Sequence, residues 1–163
     1  MTVPRFTLLP VSLCAVLFFG LLSCQPPAPD HQQQDGLFRL IQPENSGLDF
    51  TNTVRNTKDF NIFSYRNFYN GGGVGIGDVN NDGLADVFLT ANMDSNRLFI
   101  NQGNMTFRDA TASAGIASAS RWSTGVVMVD LNNDGWLDIY VCNAGFTKGE
   151  DQRNELFLNN GDG

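Results

Sequence analysis

The sequence predicts an all-β fold made of repeated four-stranded antiparallel sheets, and three observations predict it. The stretch Asp78-Val79-Asn80-Asn81-Asp82-Gly83-Leu84-Ala85-Asp86 returns as Asp130-Leu131-Asn132-Asn133-Asp134-Gly135-Trp136-Leu137-Asp138, both reading D-x-N-x-D-G-x-x-D. Short β-branched and aromatic runs flank each copy, Val74-Gly75-Ile76 and Val126 to Val129 leading in, Val87 to Thr90 and Ile139 to Cys142 leading out. Such runs have the composition of buried strands, so each nine-residue stretch is expected to cap a β-hairpin. Further on, Leu98-Phe99-Ile100-Asn101-Gln102-Gly103 is echoed by Leu156-Phe157-Leu158-Asn159-Asn160-Gly161. A period of fifty-odd residues carrying about four strands belongs to a propeller or a similar array.

The N-terminus comes first in chain order. Arg5 precedes an apolar core from Leu13 to Leu22, shorter than the about 20 residues that span a bilayer. The core ends in Leu21-Leu22-Ser23-Cys24, which resembles the bacterial lipobox. That resemblance makes 1–23 a signal peptide and Cys24 the lipidated N-terminus, and Gln25 after it is compatible with outer-membrane sorting. The rest of 24–36 is polar and Pro-rich, the composition of a disordered tether. Cys14 leaves with the signal and Cys24 is acylated, so Cys142 stands alone as a small buried hydrophobe.

The folded region is expected to be 37–163. Phe38-Arg39 followed by Ser46-Gly47-Leu48 resembles Phe107-Arg108 followed by Ala114-Gly115-Ile116, so 37–50 reads as the last strand and exit loop of a preceding unit. The strands of the first full unit are expected near 74–78, 86–91, 97–101 and 105–109. The second unit carries an insertion around Phe146 to Arg153. It stops in the turn Asn159 to Gly163, before a fourth strand, so the chain is expected to be the N-terminal part of a longer protein holding about two blades.

The doubled loop carries the chemistry. Oxygen-bearing side chains stand at positions 1, 3, 5 and 9, with a glycine at position 6. Ca²⁺ takes six to eight oxygens at short range, and alternate residues of a tight loop can all face it. Asn-Asp-Gly alone is also ordinary hairpin-turn chemistry. A full second copy and an Asp at position 9, which no turn needs, favour a metal site. The candidate ligands are Asp78, Asn80, Asp82, Asp86 and Asp130, Asn132, Asp134, Asp138, with the backbone carbonyls of Leu84 and Trp136 adding an oxygen each. An EF-hand is excluded because it needs a Glu at position 12, where Leu89 and Val141 stand, and a helix on either side.

The net charge of −7 is mostly the aspartates of these loops, and no basic patch points to nucleic acid. His31 is the only histidine and lies in the tether, leaving the folded part without a triad base or a His/Cys zinc cluster. Gly71-Gly72-Gly73 lacks the Lys-Ser/Thr of a phosphate loop and reads as a place where strands crowd. Trp122, Trp136, Tyr65, Phe68 and Tyr69 read as packing between sheets ahead of a carbohydrate- or peptide-binding surface. Asn104-Met105-Thr106 is a glycosylation sequon that a bacterial lipoprotein would not use.

The doubled loops, the Leu-Phe-Ile-Asn-Gln-Gly and Leu-Phe-Leu-Asn-Asn-Gly strands, Phe107-Arg108-Asp109 to Gly115-Ile116 and Tyr69-Asn70-Gly71-Gly72-Gly73-Val74 together resemble FG-GAP/VCBS repeats. These are the repeats of the integrin-alpha-type β-propeller. Within that superfamily the chain is similar to exported bacterial lipoproteins related to cartilage acidic proteins, over 37–163. The resemblance implies a propeller of about seven blades and Ca²⁺ at loop positions 1, 3, 5 and 9. The lack of catalytic residues favours a non-enzymatic, envelope-anchored scaffold that binds an extracellular protein or glycan. Two other functions stand beside it: part of a polysaccharide-processing enzyme whose active site lies in a further C-terminal region, and a purely structural envelope protein.

Overall fold

The computed structural model describes residues 36–117, 121–145 and 152–162. The signal peptide, Cys24, nearly all of the tether and most of the insertion lie outside these residues. Among the described residues, no helix is long and apolar enough to cross a membrane.

Among the described residues, seven strands follow one helical turn, α1 (Pro43–Ser46): β1 Val74–Gly77, β2 Asp86–Leu89, β3 Arg97–Asn101, β4 Phe107–Asp109, β5 Trp122–Val129, β6 Asp138–Ala144 and β7 Glu155–Phe157. They form two sheets, β1-β2-β3-β4 and β5-β6-β7, and every neighbouring pair is antiparallel. The all-β expectation is met, and the strands of the first unit fall where the sequence put them. The pairs Gly77↔Asp86 and Val129↔Asp138 place each nine-residue loop at the end of a hairpin.

Strand alternation puts one face of each sheet into a common core. Phe88, Leu98 and Ile100 of the first sheet meet Ile139 and Val141 of the second, with Val126, Met128 and Phe157 packed against them. Gly73, just before β1, and Gly77 within it let the second sheet come this close. A Cβ on Gly73 would stand 2.6 Å from the carbonyl oxygen of Thr124, and one on Gly77 would lie 2.8 Å from the Leu137 side chain. The expectation of fully buried hairpin strands therefore holds only in part. In β1 the glycine face is turned inward, while Val74 and Ile76 are exposed.

In residues 37–50 no strand forms at 38–41, and the exit-loop part contains α1, with Pro43 at its start and Gly47 closing it at φ 73°. Proline pre-sets the helical φ, so a turn forms after the stretch expected as a strand. The exit-loop half of the repeat is preserved, because Gly47 and Gly115 (φ 67°) both adopt the left-handed conformation. Only a glycine fits at 47, where a Cβ would collide with the carbonyl oxygen of Phe107.

A buried polar seam ties the sheets together. The register of β5 against β6 shifts between Ser123 and Val126, freeing carbonyls that bond sideways. The Thr90 hydroxyl donates to the Thr124 carbonyl (2.9 Å), Asn92 Nδ2 to the Ser123 carbonyl (3.0 Å), and Asn96 Nδ2 to Ser123 Oγ (3.1 Å). Beside it, Phe68 packs its ring against Phe60, Tyr69 and Trp122 at centroid distances of 5.3, 5.0 and 5.4 Å. Phe68 and Trp122 are buried and serve packing, as the sequence indicated, whereas Tyr69 is exposed.

Candidate metal centre

Each loop is a nest of side-chain oxygens folded over its own backbone N–H groups. In the first, Asp78 Oδ1 accepts the Asp82 N–H (3.1 Å) and Oδ2 accepts the Gly83 N–H (2.8 Å). Asn80 Oδ1 accepts the Asp82 N–H (3.2 Å), its Nδ2 donates to Asp82 Oδ2 (2.9 Å), and Asp82 Oδ1 accepts the Leu84 N–H (2.8 Å). The second loop repeats these bonds one for one. Asp130 accepts from Asp134 and Gly135 at 3.1 and 2.9 Å, and Asn132 accepts from Asp134 at 3.2 Å and donates to it at 2.7 Å. Asp134 in turn accepts from Trp136 at 2.9 Å.

Two left-handed residues make the turn. Gly83 and Gly135 have φ 86° and 91°, as position 6 required, and Asn81 and Asn133 have φ 55° and 60°. Asn is among the few side chains that visit this region readily, because its short amide bonds locally. Position 4 therefore has a conformational role that spacing of the oxygens alone did not disclose.

Position 9 behaves differently from positions 1, 3 and 5. Asp86 is fully buried, and its two oxygens accept the N–H groups of Val79 (3.0 Å) and Asn101 (2.8 Å). Asp138 is equally buried and accepts from Leu131 (3.0 Å) and Asn159 (2.9 Å). Each carboxylate thus braces the start of its loop against the end of the third strand. The Asn of the Leu-Phe-x-Asn motif completes the brace: Asn101 Nδ2 donates to the Ala85 carbonyl (2.9 Å) and Asn159 Nδ2 to the Leu137 carbonyl (3.2 Å). The two sequence motifs recur together because they are two halves of one hydrogen-bonded unit.

Burial pushes the Asp86 carboxyl above its ordinary value; the N–H groups of Asn101 and Val79 pull against this, and the charges of Asp82 and Asp78 push it further up. The three aspartates of the loop thus share one field. Among the described residues, no three His, Cys, Asp or Glu side chains form a ready cluster around one point. The reason is visible in the bonds: Asp86 faces the strand backbone while Asp78 and Asp82 face the loop amides. The donor set still fits a hard cation, since every candidate group offers oxygen, and a carboxylate oxygen that accepts one N–H retains a second lone pair. Leu84 and Trp136 contribute only backbone to that set. The indole of Trp136 packs instead on the Asn159–Gly161 turn, where a Cβ on Gly161 would come within 2.8 Å of the ring.

Comparison with known proteins agrees with this architecture. Residues 78–141 match the FG-GAP-like repeat family, a span running from the first loop through the second. The chain is 32% identical to human cartilage acidic protein 1 over 105 residues, covering 64% of this chain and 16% of that protein. It is 36% identical to the Xenopus tropicalis cartilage acidic protein 1 over 78 residues, 47% of this chain and 12% of that one. With chicken integrin alpha-8 the identity is 33% over 147 residues, 82% of this chain and 13% of the integrin. The chain therefore spans about a sixth or less of the length of these relatives.

Proposed function

We propose that this chain, an integrin-alpha-like FG-GAP repeat protein across 78–141, belongs to a calcium-binding β-propeller scaffold that serves extracellular binding or adhesion from a lipid anchor on the cell envelope. The observation that carries the proposal is the doubled loop, whose oxygens take the same hydrogen bonds in both copies. Asp78, Asn80, Asp82 and Asp86 with the Leu84 carbonyl, and likewise Asp130, Asn132, Asp134 and Asp138 with the Trp136 carbonyl, would hold the ion, Asp86 and Asp138 also bracing the loop ends. A bound Ca²⁺ would supply positive charge where three aspartates repel one another. The chain's own part is to keep those oxygens on one tight turn through the left-handed Asn and Gly and the two-stranded hairpin beneath. Rigid hairpins of this kind give an adhesive surface fixed geometry.

The non-enzymatic reading rests on the sequence, where His31 is the only histidine and the regularly spaced carboxylates sit in the loops. Membership of a polysaccharide-processing enzyme would show itself as a catalytic module elsewhere in a longer protein.

Thermal melting of the full chain in Ca²⁺ and in chelator tests the calcium proposal. An ion that binds the folded loop alone raises stability by RT ln(1 + [Ca²⁺]/Kd). With Kd of ~10⁻⁴–10⁻³ M, typical of extracellular modules, millimolar Ca²⁺ adds roughly 0.4–1.4 kcal/mol per site. Asp82→Ala or Asp134→Ala removes the gain at its own loop; identical melting in Ca²⁺ and chelator for the wild type would leave the loops as turns only. The anchor is tested separately by labelling with radioactive fatty acid. The wild-type chain takes the label, Cys24→Ser does not, and an unlabelled wild type rules the anchor out.

A further inference from the structure

The two loops are not isolated from each other. Asn81 Nδ2, on the first loop, donates to the carbonyl of Gly135 on the second at 3.1 Å. In the opposite direction, Asn159 Nδ2 donates to the carbonyl of Val79 on the first loop at 2.7 Å, while its backbone N–H holds Asp138 at 2.9 Å. Two bridges, one from each repeat, thus span the same gap.

Both bridges end on groups that position candidate ligands. The peptide between Gly135 and Trp136 accepts from Asn81 through its carbonyl and donates through its N–H to Asp134 Oδ1 at 2.9 Å. Asn81 itself lies between Asn80 and Asp82, in a backbone conformation (φ 55°) that the turn imposes. Fixing Asn80 and Asp82 on an ion therefore fixes the Asn81 amide, and with it one side of the peptide that orients Asp134. On the other side, Asn159 joins the Asp138 brace to Val79, the residue whose N–H holds Asp86 at 3.0 Å.

We infer that Asn81 and Asn159 couple the two loops, so that calcium at one raises the affinity of the other. The coupling rests on the calcium proposal above and adds to it a path and a direction. Thermodynamic linkage makes the effect reciprocal. Asn81 and Asn159 act as positioning residues and touch no ion. The size of the effect is that of one net hydrogen bond on an exposed loop, about threefold to tenfold in affinity.

Glycine makes the test clean, because it adopts positive φ without strain and removes only the side chain. Calcium titration calorimetry on the chelator-treated full chain compares Asn81→Gly with Asn133→Gly, the same position in the loop that makes no such bridge. Asn81→Gly is expected to lower the affinity of the second binding step by about threefold to tenfold, and Asn133→Gly to leave the coupling in place. Asp82→Ala, which disables the first loop, weakens the second loop by a similar factor in the wild type and by a smaller factor in the Asn81→Gly background, where only the Asn159 bridge remains. Asn81→Asp, which keeps the left-handed preference and lacks the amide donor, repeats the comparison if the glycine variant unfolds. Two sites that bind with no interaction, or equal effects of the two glycine variants, overturn the coupling and leave the calcium proposal standing. No calcium heat at either loop overturns both.

Discussion

The loops 78–86 and 130–138 share their internal hydrogen bonds but not their surroundings. Within each, positions 1, 3 and 5 close on the backbone N–H groups of the turn, and position 9 braces the loop against the third strand. Outside, Asn81 reaches the neighbouring loop, whereas Asn133, also left-handed, makes no such bond among the described residues. The Leu-Phe-x-Asn asparagines differ in the complementary way: Asn101 bonds its own loop, and Asn159 bonds its own loop and the preceding one. A repeat sequence therefore encodes its loop locally, while the same side chains acquire a second function wherever another repeat stands beside them.

The largest effect separating local from shared roles is expected at position 9. Asp86→Ala and Asp138→Ala each leave two N–H groups at a buried site without an acceptor, at a cost of about 2–4 kcal/mol measured by chemical unfolding in chelator. Part of the loss at Asp86 is offset, because the substitution also removes a carboxylate whose burial is unfavourable, as its raised pKa shows. Asp86→Asn keeps an acceptor oxygen and sheds the charge, so it costs less than the alanine. If Asp86→Ala and Asp82→Ala destabilise the calcium-free protein equally, position 9 braces the loop no more than position 5 does, and the distinction between these positions fails. The gain from calcium, at roughly 0.4–1.4 kcal/mol per loop, is smaller than the brace and appears only when the ion is present.

The sequence disclosed the local half of this arrangement. The D-x-N-x-D-G-x-x-D spacing located both hairpins, and the strands around the first loop formed within a few residues of their expected limits. Residues whose partners are distant in the chain carried no such signal. Thr90 reads as a strand residue and Asn92 and Asn96 carry no motif, until the register shift in β5 presents the Thr124 and Ser123 carbonyls and the Ser123 hydroxyl to them. Asn81 looked like a spacer between ligands, yet it supplies the left-handed turn and the bridge to Gly135. Residues 37–50 show another limit. Their likeness to the Phe107-Arg108 repeat is kept in the exit glycine, but a strand needs a ladder partner, and 38–41 have none among the described residues.

The smallest effect belongs to a charge pair that the repeats solve with opposite signs. The residue before the Leu-Phe pair is Arg97 in the first repeat and Glu155 in the second. Arg97 bonds Asp109 on the adjacent strand at 2.7 Å, while Glu155 faces Arg121 at 3.7 Å. Burial raises the Asp109 carboxyl, but the Thr111 hydroxyl and N–H and the Arg97 guanidinium outweigh it and hold the group below its ordinary value of 3.8. A depressed carboxyl contributes stability that is present above the unfolded pKa and lost as pH falls through the folded one. The pair is substantially exposed, so solvent screening limits it to about 0.2–1 kcal/mol. Asp109→Asn is therefore expected to melt slightly below the wild type near pH 7, with the difference closing as pH drops below 3.8. Added salt should shrink the difference at neutral pH. A gap that persisted unchanged into acid would assign the effect to contacts that do not depend on the carboxylate's charge, and the charge pair would contribute nothing to the first sheet.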